Sequence, residues 1–325
     1  IQGLHLESAL FTGDEILKWN DSAALPLLPD HTSIEVFRQL RNSPRLDSRE
    51  PIEWYFRPYG ELHSGSAQSL MDLESEECPK GYWPVYKGAS FDLWSADTGK
   101  YYGWADPDIV TPVLQDRRIR GNSSTKSVYS ECNHRWCKDI NTLPCYHPRI
   151  AFRDVTNRTN RRTVICALVP PNVFLTDKAP YFLQIKGDVR DSIYLLGISS
   201  SLCLDWYARR YVETGVKFYL INSFPYPKPA SINPLRKRVI KISARLACQD
   251  DRFREVANEV GTEIGPLNDQ QKEDLIHELD AVVAHLYGLS ENNLVHLFKT
   301  FHNGWDYQDR LNATLKHFDY WSNKL

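Results

Sequence analysis

Three features of the sequence predict a mixed α+β fold, an α/β region followed by a helical C-terminal domain. Short apolar runs bounded by turn residues recur through residues 51–230. After the stiff stretch Tyr226-Pro-Lys-Pro229, apolar positions at steps of three and four take over. Caps and glycines punctuate those later segments where helices should start and stop. The expected division is an acidic lead-in over 1–50, an α/β domain over 51–230 and a helical domain over 231–325.

Within the lead-in, Thr32 to Leu40 reads as a short helix among Pro26, Pro29 and Pro44. Ile52 to Arg57 alternates as a strand does, and Tyr82 to Tyr86 reads as a second strand. Asp72 to Pro79 is an acidic loop. Residues 106–148 are polar and rich in turn formers, which predicts a long, partly mobile loop. Strands are expected at 149–154, 163–170, 181–186 and 216–220. A helix carrying Leu195, Ile198, Leu202 and Trp206 on one face lies between the last two.

Asn233-Pro234 is a cap followed by proline at the first helical position, and Leu235, Val239, Ile242 and Leu246 mark one face of that helix. Asp269 caps a helix carrying Leu275, Leu279, Val282 and Leu286, which Gly288 ends. Ser290 starts another that stops at Asn303-Gly304, and Leu311, Leu315 and Phe318 support a last one. These stripes are packing faces.

At 325 residues, 42% hydrophobic and 25% charged, the chain has the makeup of an ordinary soluble protein of roughly two domains. No apolar run approaches the ~20 residues that span a bilayer. No signal peptide is legible, so a cytoplasmic protein without membrane partners is expected. Ile1 is not an initiator residue, which predicts a fragment. Seven cysteines, an odd number in a chain this large, argue against a disulfide framework. The net charge of −2 hides an asymmetry. Residues 1–108 hold 9 basic and 18 acidic side chains, residues 109–250 hold 23 and 10, and residues 251–325 hold 7 and 13. The middle third therefore has the charge of a polyanion-binding surface.

The most informative stretch is 149–171. Two apolar runs, Ile150 to Phe152 and Val164 to Val169, flank Arg153, Arg158, Arg161 and Arg162, with Asp154 as the only acid and Asn157 and Asn160 as turn residues. Guanidinium groups on such a connection suit phosphates and guanine edges. A solvated hairpin tip is the plainer reading. Arg153 has an alternative role, pairing with Asp154 or with an acid of another strand. Arg117, Arg118, Arg120 and Lys126 form a second basic group around Gly121-Asn-Ser-Ser-Thr125.

The motifs Arg149-Ile-Ala-Phe-Arg-Asp-Val155, Arg162-Thr-Val-Ile165 and Pro170-Pro171 resemble the target-recognition region of bacterial adenine-specific DNA methyltransferases. These are the type IIG fused restriction–modification enzymes and related phage-defence methyltransferases. Further segments are similar in the same order. Trp54-Tyr-Phe-Arg-Pro-Tyr-Gly-Glu-Leu-His63 resembles the lead from the methyltransferase domain into the recognition domain. Pro84-Val-Tyr-Lys-Gly88 with Phe91-Asp92 resembles the family's leucine-tyrosine-glutamate-glycine-lysine strand, although Ala89-Ser90 stand where Lys-Met is usual. Leu196-Gly-Ile198 through Trp206-Tyr-Ala-Arg-Arg210, Asn222 to Pro229, and Glu278 to Leu289 resemble the closing helix, proline-rich exit and following helix. Together they cover most of residues 50–300.

The resemblance implies a module that recognises a short site in double-stranded DNA and presents adenine to a methyltransferase domain upstream of Ile1. S-adenosylmethionine would bind that upstream domain, and this chain itself would hold no cofactor. Residues 1–50 would then connect to it, and an endonuclease could be fused there as well. The DNA-facing residues would be Arg117, Arg118, Arg120 and Lys126 together with Arg153, Arg158, Arg161 and Arg162. The chain lacks the enzyme's own motifs: no two glycines are two residues apart, and the single Pro-Pro lies between Val169 and Asn172. It is therefore expected to transfer no methyl group alone.

Other constellations admit two readings each. Cys132, His134, Cys137, Cys145 and His147 offer zinc-ligand types, but their spacing fits no common knuckle, so loop packing without metal is expected. Asp177 with Gln184-Ile-Lys186 echoes a metal-dependent nuclease signature but lacks a second acid. Arg236-Lys237-Arg238 in a first helical turn opposes the macrodipole, so it is either a solvated face or a seat for an anion. Tyr101, Tyr102 and Trp104 either pack or stack on bases. Two other functions stay open: a module binding a partner protein's acidic surface, and a nuclease.

Overall fold

A computed structural model describes residues 11–19, 24–50 and 53–324, so Ile52, the expected start of the first strand, lies outside them. Helix accounts for 47% and strand for 13%, a mixed α+β class with a helical C-terminal region. Helices α1 (Gly13–Trp19) and α2 (His31–Arg41) open the chain. Strands β1 (Tyr55–Tyr59), β2 (Trp83–Tyr86) and β3 (Tyr101–Ala105) precede α3 (Pro107–Asn122) and α4 (His134–Lys138). Strands β4 (Arg149–Phe152), β5 (Cys166–Val169), β6 (Phe174–Leu175) and β7 (Tyr181–Lys186) follow. The chain continues as α5 (Val189–Ser200), α6 (Leu202–Ala208) and α7 (Phe218–Ser223). It ends with α8 (Pro234–Ala247), α9 (Arg254–Val260), α10 (Asp269–Leu286), α11 (Glu291–Lys299) and α12 (Gln308–Ser322). Among the described residues no helix is long and apolar enough to cross a membrane.

The main sheet runs β1-β7-β4-β5 and is antiparallel throughout. A smaller sheet, β3-β2-β6, pairs β2 antiparallel with β3 and parallel with β6. The period of two along a strand sorts the main sheet's side chains. Ile150, Phe152, Cys166, Leu168 and Phe182 join the large core beneath α5 and α6. Ala151, Ala167, Val169, Tyr181 and Leu183 face a second core with Tyr86, Phe91, Tyr129 and Cys137. Both faces are covered, which is why these strands read as unbroken apolar runs.

Helices α5 and α6 form the central layer between this sheet and α8 and α10. They are buried along nearly their whole length. Asn233 caps α8 as expected, accepting from the amides of Leu235 at 2.9 Å and Arg236 at 3.1 Å. Asn268, one residue before the expected Asp269, caps α10 in a reciprocal box with Gln271. Gly288, at φ 67°, ends that helix. The large core runs without a break across residue 230, from Phe224 and Tyr226 to Leu235 and Val239.

Two expected elements are corrected. Residues 107–122 of the expected loop form α3. Asp106 accepts from the amide of Asp108 and Pro107 takes the first turn, a start signal of the same kind as Asn233-Pro234. Its buried stripe is Val110, Leu114 and Arg118, so a charged residue stands where the apolar period needs a third member. Residues 218–220 of the expected strand at 216–220 open the helix α7 instead, with a single bridge, Val155 to Gly215, left of the strand pairing. Gly215 is required there, because a β-carbon would lie 2.5 Å from the Asp154 carbonyl oxygen.

Packing of α5 on α8 turns on Gly197. A β-carbon there would meet Val239 Cγ1 at 2.6 Å, as well as Ser243 Oγ. Gly197→Val should cost about 1–3 kcal/mol by overpacking. Urea denaturation checks this, and an unchanged midpoint would mean that the two helices are not in this contact.

Candidate nucleic-acid interface

The connection between β4 and β5 is built around Asp205. This residue is an acid in the otherwise apolar run Leu202–Ala208 of α6, and it is fully buried. Its Oδ1 accepts from the amides of Thr163 at 2.8 Å and Val164 at 2.7 Å. Its Oδ2 lies 2.8 Å from Arg162 Nε and 3.8 Å from Arg209 Nε. Arg209, one helical turn on, donates to the carbonyls of Arg158 at 2.7 Å, Asn160 at 2.6 Å and Arg161 at 2.8 Å. Its guanidinium sits 4.1 Å from the centre of the Phe301 ring. His302 contacts the Thr159 carbonyl at 3.0 Å, and Asn157 Oδ1 accepts from the amides of Thr159 and Asn160. The backbone of the turn is therefore tied inward from below, residue by residue. Arg158 and Arg161 are exposed, and among the described residues their guanidinium groups make no intramolecular hydrogen bond or ion pair.

Arg162 and Arg118, expected to face DNA, do not project from the surface. Arg162 donates to the carbonyls of Ser200 at 2.6 Å and Ser201 at 3.0 Å besides pairing with Asp205. Arg118 is fully buried and donates to Thr142 Oγ1 at 2.9 Å, Gln115 Oε1 at 2.6 Å and the Asp139 carbonyl at 2.6 Å. It also lies 4.7 Å over Trp136, and it fastens α3 to the 134–142 segment. A charged group taken out of water persists only when it is paired and hydrogen-bonded, and both residues find such partners internally.

The remaining six split in two. Arg120 and Lys126 are exposed at the end of α3 and just beyond it, and Arg158 and Arg161 are exposed on the turn. Arg117 is half-buried and donates to the Glu61 carbonyl. Arg153 donates to the Phe91 carbonyl and lies 3.4 Å from Asp92, an acid of another segment, while Asp154 pairs with Lys217 at 3.0 Å.

The basic excess of the middle third is partly internal. Arg118, Arg149, Arg162, Arg209, Arg210 and Arg236 are all buried. Several take partners from the acidic flanks: Arg149 pairs with Glu61 at 2.9 Å and Arg236 with Glu53 at 2.8 Å. The Arg236-Lys237-Arg238 cluster is thus neither a solvated face nor an anion seat as a unit, since Arg236 also pairs with Asp191 and Arg238 with Glu278.

Other candidates separate. Cys137 and Cys145 lie in different cores, His147 is exposed, and among the described residues no group of three His, Cys, Asp or Glu is placed to hold a metal ion. Asp177 accepts from the Ser64 amide at 2.8 Å before β7, whereas Lys186 ends that strand. The six extended residues of β7 alone put ~17 Å between that strand's ends. Tyr101 stacks on Tyr86 with ring centres 5.5 Å apart and contacts Trp104 at 5.1 Å, so this cluster packs on the small sheet.

Asp205 and Arg209 were absent from the expected site. The available signal was an acid inside an apolar helical run, which must find partners wherever it is buried.

No family model matches the chain, and no curated protein does. Among solved structures, the type IIG restriction endonuclease BpuSI is similar at 13% identity and a TM-score of 0.42. The alignment covers 89% of this chain and 32% of that one, so the chain spans about a third of that protein's length. A likeness at this level carries no argument about function.

Asp205→Asn should cost about 3–5 kcal/mol, because it leaves Arg162 and Arg209 buried without their counter-charge. Trypsin should then cut the loosened turn after Arg158 or Arg161. Urea denaturation and limited proteolysis measure both effects, and wild-type stability together with wild-type resistance would contradict the assigned role of Asp205.

Proposed function

We propose that this chain is a duplex-DNA recognition module, with the 157–162 turn as its principal DNA-facing element. The observation that carries the reading is the pairing of a fixed backbone with two free arginines. The turn's carbonyls and following amides are bound by Arg209 and Asp205, while Arg158 and Arg161 extend into solvent. An arginine on a backbone already fixed loses less entropy when it binds phosphate or a guanine edge, and its planar fork suits bidentate contact. Arg120 and Lys126 add a second exposed pair, and Arg117 and Arg153 are the half-buried members of the set. Arg118 and Arg162 have support roles in this reading.

The order of motifs described above points further, to the specificity region of an adenine-specific DNA methyltransferase of the restriction–modification type. S-adenosylmethionine and the reaction would belong to a domain outside these residues. The chain would position DNA and leave the chemistry elsewhere.

The test is duplex binding by fluorescence anisotropy at several salt concentrations, for the protein and for Arg158→Ala and Arg161→Ala. Phosphate contacts release counterions, so wild-type affinity should fall steeply with salt. A variant that loses a phosphate contact should shrink the salt slope by about one unit on every sequence. A variant that loses a base contact should cost about 1–3 kcal/mol on the cognate site and relax one position. Both should keep wild-type thermal stability, since exposed turn arginines rarely support a core. Salt-independent affinity, or no binding at low salt, would overturn the reading.

A further inference from the structure

Between the basic turn and the C-terminal helices lies an open cleft of about 580 Å³. That volume is within the range of small-molecule sites. Its walls carry five cationic side chains, Arg153, Arg161, Arg162, Lys272 and Arg310, against two acids, Asp92 and Glu273. Trp94, Ile165 and Ile276 give it apolar surface.

Two of the guanidinium groups, Arg153 and Arg310, are tied by one arm only, and Arg162 is tied by two, its Nε standing 2.8 Å from Asp205 Oδ2. Arg162 uses Nη2 on Ser200 and Ser201, Arg153 uses Nη2 on Phe91, and Arg310 uses Nη2 on Asp280 at 2.6 Å. Among the described residues no hydrogen bond is made by the Nη1 of any of them, and the Nε atoms of Arg153 and Arg310 are buried without a hydrogen-bond partner. Arg162 is only 8% exposed, yet it lines the cleft. These are oriented donors with spare capacity, and each is already held in place by its other arm. Arg161 and Lys272 add charge from opposite walls. Such a set matches the several oxygens of a phosphate group, which accept charge-assisted hydrogen bonds.

An adjoining cavity of about 360 Å³ fixes the direction. There Arg161, Arg162 and Arg310 meet Glu273, Asp306 and Asp309. The charges cancel on that side, so an anion is favoured in the larger cleft, where Lys272 and Arg153 add to Arg161 and Arg162.

We infer that this cleft is a phosphate-oxyanion site, in which Arg161, Arg162 and Lys272 hold the oxyanion beside the apolar wall of Trp94. It rests on the DNA-binding reading only for the source of the phosphate, either a strand of duplex DNA or a free phosphorylated compound. Lys272, on α10, would bring the helical region into the interface.

The experiment compares the protein with Lys272→Ala and Lys272→Glu. Pyrophosphate is added in a thermal-shift assay against sodium chloride at matched ionic strength, and duplex DNA is titrated in parallel. Lys272 is a partly exposed helix residue, so both variants should fold, and their melting temperatures without added anion verify this. Pyrophosphate should raise the wild-type melting temperature and displace duplex DNA, because a ligand that binds only the folded state stabilises it. Lys272→Glu should abolish the shift and weaken duplex binding roughly tenfold, with a smaller salt slope. A lost shift with unchanged duplex affinity would keep the site and assign it to a free phosphorylated compound. A pyrophosphate shift in a protein that binds no DNA would also keep the site, while removing the DNA-binding reading. If neither pyrophosphate nor duplex binding responds to Lys272, the site is overturned, even where Arg158→Ala still weakens DNA binding.

Discussion

One buried carboxylate organises this molecule. Asp205 lies in a helix with no access to water, and a charge placed there is tolerated only with close compensation. The chain supplies two arginines and two backbone amides. Meeting that demand fixes the path of residues 157–164, where β5 is approached, and how the turn sits on α6. The same helix starts under a second buried acid, Asp280 of α10, which accepts from the Leu202 amide at 2.7 Å. Asp280 also holds Arg310. The turn, the central helices and the C-terminal helices are thereby linked through two carboxylates. The cleft above them inherits its donors from the same arrangement, since Arg162 spends Nε and Nη2 on the interior, Arg310 spends Nη2, and each keeps Nη1 available.

Much of the fold was legible because its signals are local. The β4 and β5 runs, the caps at Asn233 and Ser290, and the glycine stop at Gly288 each depend on residues a few positions apart. The errors came where the deciding partner is distant. Arg118 completes the buried stripe of α3 because Thr142 and the Asp139 carbonyl receive its donors. Nothing within the helix marks it as a core residue. Phe218 to Ile221 has strand-like composition, yet only one bridge to β4's extension forms, and the segment closes into a helical turn instead.

The candidate site divides the same way. The basic turn was visible as a cluster, and its exposed members Arg158 and Arg161 lie where an excursion between two strands would put them. Which arginines are consumed internally was not visible, since Arg162 finds its acid 43 positions later (205 − 162). The charge asymmetry along the chain misleads for the same reason. An acidic first third and a basic middle third fold against each other, and pairs such as Arg149 with Glu61 remove charge from the surface that composition assigns to it. What remains outside is a smaller and better-placed set of cations than the sequence total suggests.

In the proposed role the turn is a rigid mount, held by Asp205, that meets DNA. Amide hydrogen exchange across residues 153–165, with and without duplex DNA, tests it most directly. Slow exchange is expected at Thr163 and Val164 in the free protein, with added protection at 157–162 when duplex DNA is present. Fast exchange at those two amides in the free protein, or added protection elsewhere that leaves the turn untouched, would contradict it.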